Sequence, residues 1–229
     1  MSAESTNTPT CIGIMLDGNR RWAKAKGIST IEGHQRGAEV FKSALRWMKA
    51  RRIPHVVAYV FSSENWNRDP AEVAGMMTLF RQWLSTRIDD LVAEDVHLHF
   101  VGDRVRFPAD MQDMIRNAEE KTKDKTGIHA WICFSYGGRA ELVAAARGVA
   151  ASGEEITDES FAKHLWTVGM PDPDLIIRSG GHIRMSNFLP WQSVYSELFF
   201  LPILWPDFSE EALDQVLREF AERKRNFGT

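Results

Sequence analysis

Apolar residues along the chain fall into two alternating patterns. Short β-branched, aromatic or aliphatic blocks bounded by Gly, Asp or Pro occur at Cys11–Leu16, His55–Phe61, Val96–Val101, Ile128–Phe134 and Asp174–Arg178. Each predicts a strand. Between them the spacing turns helical. Phe41, Ala44, Leu45 and Met48 share one face, and Val73, Met76, Met77, Phe80, Leu84, Ile88 and Leu91 form one long stripe. Two further helices are predicted over 139–150 and 210–223, the last burying Leu213, Val216, Leu217 and Phe220. No repeat or Pro/Gly/Ser-rich linker divides the chain. Residues 1–9 read as a disordered arm before one domain over 10–229. Alternating strands and helices with short joints predict an α/β fold, a mostly parallel sheet covered on both faces.

Composition narrows the function. A chain of 229 residues makes one domain the first expectation and buries roughly 70% of its unfolded surface. A formal charge of −3 gives no overall basic field, so nucleic acid is not an expected partner. The longest apolar run, Leu198–Trp205, is broken by Pro202, which argues against a membrane span. Cys11 and Cys133 sit in apolar surroundings, as buried thiols of an intracellular protein do. The first ten residues carry no signal pattern, so a cytoplasmic location is expected. No Cys/His spacing points to structural zinc.

In a parallel sheet, ligands sit beyond the carboxyl ends of the strands. That rule selects the loops at 17–26, 62–68, 135–139 and 178–186. The first reads Asp17-Gly18-Asn19-Arg20-Arg21-Trp22-Ala23-Lys24. A carboxylate, a glycine and cations at a helix start suit a diphosphate with a hard cation such as Mg2+. An Asp cap before a solvated basic face explains the same residues. In Ser179-Gly180-Gly181-His182-Ile183-Arg184-Met185-Ser186, preceded by Arg178, two arginines and two serines around a glycine pair suit a second anion, and a tight turn is the plainer alternative. His182 is either part of that anion site or a loop histidine. In Ser62-Ser63-Glu64-Asn65-Trp66-Asn67-Arg68, Ser63 and Asn65 can position a weak proton acceptor or simply cap a helix. Neither Walker-type nor Gly-x-Gly-x-x-Gly signatures occur. Val57, Val60, Met76, Met77, Phe80, Leu84, Ile128, Trp131, Phe134 and Phe188 are candidates for a greasy pocket, each of them equally explained as core. Two anion loops beside an apolar pocket describe an isoprenoid diphosphate.

These residues resemble the cis-prenyltransferases, the undecaprenyl diphosphate synthase-like enzymes, over about 12–227. The resemblance rests on Asp17-Gly18-Asn19 with Arg21-Trp22-Ala23-Lys24, Gly33-His34, Phe61 through Arg68, Tyr136-Gly137-Gly138-Arg139, Asp174 through Arg178, Ser186-Asn187-Phe188, Glu197 and Trp205-Pro206-Asp207-Phe208. It implies a homodimer, a central six-stranded, mainly parallel sheet and an apolar tunnel between helices. It implies Mg2+ at Asp17 with Glu197 near the same site, on this chain or across the dimer. Arg178, Arg184 and Ser186 would hold the diphosphate of the nucleophilic substrate. Gly18, Asn19, Arg21 and His34, with Arg20, Trp22, Ser63, Trp66 and Arg68 nearby, would surround that of the allylic one. Asn65 and Ser62 match positions that help ionisation or proton removal, and Asp17 and His182 complete the catalytic set.

The departures point to an unusual product. The family has Gly where Arg20 stands and Arg where Thr30 stands. Its Gly-Gly-Glu-His-Arg is here Gly180-Gly181-His182-Ile183-Arg184; Ser135 and Asn226 replace its Asn and C-terminal Arg. Bulk at Val60, Trp131 and Phe134 is expected to shorten the tunnel. The resemblance then implies coupling of two dimethylallyl diphosphates to a lavandulyl- or cyclolavandulyl-type ten-carbon diphosphate. The alternatives are a regular short cis-prenyl synthase using isopentenyl diphosphate and a silent lipid-diphosphate-binding subunit.

Overall fold

The computed structural model describes residues 8–224. Its main elements are β1 (Cys11–Met15), α1 (Asn19–Lys26), α2 (Thr30–Ala50), β2 (His55–Ser62), α3 (Pro70–Thr86), α4 (Ile88–Ala93), β3 (Val96–Val101), α5 (Ala109–Thr122), β4 (Ile128–Tyr136), α6 (Gly138–Ser152), α7 (Asp158–Ala162), β5 (Leu175–Arg178), β6 (Glu197–Phe200) and α8 (Glu210–Glu222). A 3-10 turn, Ser63–Asn67, follows β2. Most of the expected arm over 1–9, and Asn226, lie outside the described residues. Pro9 is already buried, and the Thr10 N–H donates to Asp174 Oδ2 at 2.6 Å, so residues 9 and 10 already pack on the fold.

All six strands join one sheet in the order β3-β4-β2-β1-β5-β6, every neighbouring pair parallel. The central strands β1 and β5 are buried at every position, as a sheet covered on both faces requires. Local chemistry sets the helix boundaries. Ser29 and Glu32 form a capping box at the start of α2, Asp69 caps α3 with Pro70 in its first turn, and Gly27 ends α1 in the left-handed region. The long stripe predicted to reach Leu91 as one helix is broken at Arg87, which ends α3 and precedes α4. The break redirects the chain so that Ile88 and Leu91 are buried where α4 packs on β3 and α5.

The two faces of the sheet carry different cores. One includes Ala58, Phe61, Phe80, Ile132 and Phe134; the other includes Cys11, Val57, Trp131, Cys133 and Phe188. Alternation along β4 puts Ile132 and Phe134 on the first face and Trp131 and Cys133 on the second. Hence Val57, Trp131 and Phe188, expected in the greasy pocket, face away from it. A register shift of β2 against β4 between Tyr59 and Phe61 lets Val60 and Phe61 both pack toward the first face. Cys11 and Cys133 are buried free thiols, and burial raises the pKa of both. Among the described residues, no helix is long and apolar enough to cross a membrane.

Candidate functional site

Strands β2, β1 and β5 are neighbours, and the loops leaving their carboxyl ends converge on a cleft of about 860 Å3. Its lining holds Arg20, Arg21, Lys24, Arg68, Arg178 and Arg184 against one carboxylate, Asp17. The chain as a whole is negative, so this concentration of cations belongs to the cleft and suits a polyanion.

Asp17 follows β1 by two residues. Its Oδ2 accepts from Arg178 Nη2 at 2.9 Å and its Oδ1 from Arg21 at 3.3 Å. Arg178, 6% exposed, also donates to Ser186 Oγ at 2.8 Å and to the Arg184 carbonyl. One guanidinium therefore fixes both the carboxylate and the 178–186 loop. That loop is pinned from behind by Gly180 and Gly181 N–H bonds to the Ile203 and Leu201 carbonyls. A Cβ on Gly180 would meet Arg21 Nη2 at 2.5 Å, and its φ of +90° is strained for other residues. Arg184 is exposed and has no ion pair among the described residues, leaving its charge available.

Helix α1 begins against the cleft with neither an acidic first turn nor a side-chain cap, so its first N–H groups add to the positive field. Arg68 and Arg20 approach Glu72 at 3.0 and 3.7 Å. Their charges, after burial as the larger cause, depress the His34 pKa to about 4 against an opposing effect of Glu72. Three buried polar atoms around the cleft lack a partner, Asn19 Oδ1, His34 Nε2 and Arg178 Nε. Ser62 and Asn65 line the cleft and also form the reciprocal cap of the turn after β2, the Ser62 N–H donating to Asn65 Oδ1 at 3.1 Å. The cap is therefore made by Ser62 with Asn65 rather than by Ser63.

The donor set fits magnesium. That ion is held by one or two carboxylates and completes its shell with substrate phosphates and water; a lone carboxylate among phosphate-binding cations meets this need. Glu197 is not a second ligand within one chain. It opens β6, level with Leu175, while Arg178 and Met15 lie three residues further on, roughly 10 Å along the strands. Its carboxylate accepts from Arg223 at 2.6 Å instead.

Gly18, Asn19, Arg20, Arg21, His34, Ser62, Asn65, Arg68, Arg178, His182, Arg184 and Ser186 are brought together with Asp17. Besides Glu197, three expected residues are not. Trp22 donates to Asp207 at 2.8 Å; Trp66 donates to Ser135 at 2.9 Å and packs edge-on against Phe61; Ser63 donates to Glu64 at 3.2 Å. Each follows a lining residue, and its side chain takes the opposite direction. The 135–139 loop also stays out of the lining, tied to Asn187 through the Gly138 and Arg139 N–H groups. Reading by motif missed Tyr59 as a lining residue, because it lies inside β2 rather than in a loop.

Next to the cleft, sharing Leu16, Asn19, His34, Val60 and Met76 with it, lies an apolar chamber of about 100 Å3. Phe80, Trp83, Ile132 and Phe134 wall its far side. Phe134 stacks on Phe80 with centroids 3.9 Å apart.

Comparisons agree with this geometry. The family model "Putative undecaprenyl diphosphate synthase", a prenyltransferase family, matches residues 14–228. An isoprenyl transferase of Rhizobium meliloti is 42% identical, covering 97% of this chain and 93% of its own length. One of Thermotoga maritima is 40% identical over 96% and 97%. The crystal structure of lavandulyl diphosphate synthase from Lavandula x intermedia, in complex with dimethylallyl diphosphate, superposes with a TM-score of 0.92 at 35% identity over 97% of this chain and 99% of that one. A probable undecaprenyl diphosphate synthase of Campylobacter jejuni gives 0.85 at 27%, over 97% and 100%.

Proposed function

The chain belongs to the undecaprenyl diphosphate synthase-like prenyltransferases and is an isoprenyl transferase, and on that premise we propose that it couples two dimethylallyl diphosphates into a branched or cyclised ten-carbon diphosphate. The supporting observation is the chamber beside Asn19 and His34. It measures about 100 Å3 beside the cleft of about 860 Å3, a size that suits a short tail. Likeness to the lavandulyl diphosphate synthase supports the same reading.

In this scheme the allylic substrate lays its tail in the chamber and its diphosphate against Asn19, Arg20, Arg21, Arg68 and the start of α1. The second substrate's diphosphate lies by Arg184, Ser186 and His182. The allylic C–O bond breaks, its electron pair leaving with the diphosphate, and the π pair of the second alkene forms the new C–C bond. A proton is then lost. We assign the departing diphosphate as its acceptor, with Ser62 and Asn65 lining the route, because Asp17 is already engaged by two arginines. When bound at Asp17, magnesium would neutralise diphosphate charge. The chain's own contribution is orientation and a preformed cationic wall for the leaving group.

The homodimer expected from the family is part of the proposal. So is a cytoplasmic location. Identity of 42% to an isoprenyl transferase favours, as the second reading, a regular short-chain synthase using isopentenyl diphosphate. Incubating the protein with magnesium and dimethylallyl diphosphate, with and without isopentenyl diphosphate, and identifying the alcohols after phosphatase separates the two. A ten-carbon alcohol from dimethylallyl diphosphate alone supports irregular coupling; a strict need for isopentenyl diphosphate overturns it.

A further inference from the structure

Four of the seven histidines gather on the second face of the sheet, away from the cleft. His55, His129 and His97 are in register across β2, β4 and β3, and His99 follows on the same face of β3. The ligand atoms of His97, His99 and His129 all lie within 4.8 Å of one another, with His99 Nε2 and His129 Nδ1 3.0 Å apart.

We propose that His97, His99 and His129 form a binding site for a borderline transition metal of the zinc class, with its fourth position open to water. Three imidazoles are an established zinc set, with Zn–N bonds of about 2.0–2.1 Å. A tetrahedron of that size puts nitrogens roughly 3.4 Å apart, between the 3.0 Å of the His99–His129 pair and the 4.8 Å that bounds all three. The donors are also held in place. The Trp131 indole stacks on His99 at 3.8 Å and 10°, and His55 stacks on His129 at 4.7 Å and 24°. The Trp131 N–H donates to His55 Nδ1 at 3.3 Å, locking the second layer.

A stacking ladder alone would explain the paired rings, but it does not require three ring nitrogens to converge. All-nitrogen donors separate this site from the hard-cation position at Asp17. A bound ion would cross-link edge strand β3 to β4 through side chains on one face of the sheet. Spacing along the chain gives no sign of the site, because His129 joins His97 and His99 only through strand pairing.

The test uses the full chain without an affinity tag, titrated with Zn2+ by calorimetry and with Co2+ in the visible spectrum. One equivalent per chain is expected, with the Co2+ bands of tetrahedral nitrogen coordination. His97→Asn and His129→Asn should each weaken binding at least tenfold, and His182→Gln should leave it unchanged. Anomalous scattering from Zn-soaked wild-type crystals needs no variant and should place the ion between the three rings. Absence of saturable binding up to millimolar metal, binding that survives the two substitutions, or an ion at another position overturns the proposal.

Discussion

Truncating Phe134 tests whether the chamber wall sets the length of the substrate. Phe134 is 4% exposed, stacks on Phe80 at 3.9 Å, and packs against Phe61 and Phe107 at 5.2 and 5.3 Å. Truncation of a buried Phe to Ala costs ~3–5 kcal/mol. Three aromatic partners, each worth ~0.5–1.5 kcal/mol beyond area burial, place this one in the upper half of that range. With a denaturant slope near 2 kcal/mol per M, the urea midpoint should fall by roughly 2 M. The space released is on the order of a benzene-sized cavity, about 150 Å3. That more than doubles the chamber, enough for one further five-carbon unit.

Trp131→Ala is the matched control. It removes a comparable buried aromatic from the same strand but from the opposite face, so it should destabilise similarly without enlarging the chamber. The assay compares kcat/KM for dimethylallyl and geranyl diphosphate as the allylic substrate. Phe134→Ala should move the ratio toward geranyl diphosphate by about tenfold or more, roughly the 1–3 kcal/mol that pocket discrimination of apolar groups supplies. Trp131→Ala should leave the ratio unchanged. Equal shifts in both variants, or no shift in Phe134→Ala, would refute the assignment of the wall.

Asp17→Asn should abolish turnover and also lower stability, by ~2–3 kcal/mol in denaturant melts, because it leaves the buried Arg178 without its charge partner; an unchanged melt would mean that pair carries no weight. Arg184→Ala should raise the KM of the nucleophilic substrate ten- to a hundredfold, the ~1.5–3 kcal/mol of a charge-assisted hydrogen bond, with no change in melting; steady-state kinetics decide it. The depressed His34 pKa makes stability pH-dependent: as pH falls below about 6.5 the unfolded chain takes up a proton that the folded chain refuses until about 4. His34 therefore contributes about 3 kcal/mol less at pH 4 than at pH 7, and His34→Asn should flatten that part of a stability–pH curve. If the slope between pH 4 and 6.5 persists in the variant, another group is responsible.

Much of this was legible along the chain because local rules govern it. The five predicted strands are present with ends shifted by at most two residues, since short apolar blocks flanked by Gly, Asp and Pro leave few alternatives. β6 was not predicted from its own pattern. It has only four residues at the sheet edge, with Leu198 exposed and Phe199 buried, inside an apolar run that reads equally well as irregular core. Helix α5, whose Met111, Ile115 and Ala118 form the buried stripe, went unassigned among the many charges around it.

The site divides along the same line. Residue types at strand ends could be read, because a parallel sheet gathers those ends wherever its strands adjoin; Asp17, Asn65 and Arg178 needed nothing more. Side-chain direction could not, because it turns on single-residue parity. Trp22 and Trp66 each stand one position after a lining residue and point elsewhere, and Trp131 lies between Ile128 and Phe134 with its ring on the other face. The displaced register between Tyr59 and Phe61 defeats even a strict alternation rule, turning Val60 and Phe61 to the same face. That one irregularity shapes both halves of the site: Val60 lines cleft and chamber together, and Phe61 backs the ring of Phe134. The cationic cleft thus follows from strand order, whereas the depth of the chamber follows from parity and the irregular register of β2 against β4. Substitutions at Val60, Phe80 or Phe134 should accordingly alter chain length with the cationic loops untouched, making tail length the more easily changed property of this fold.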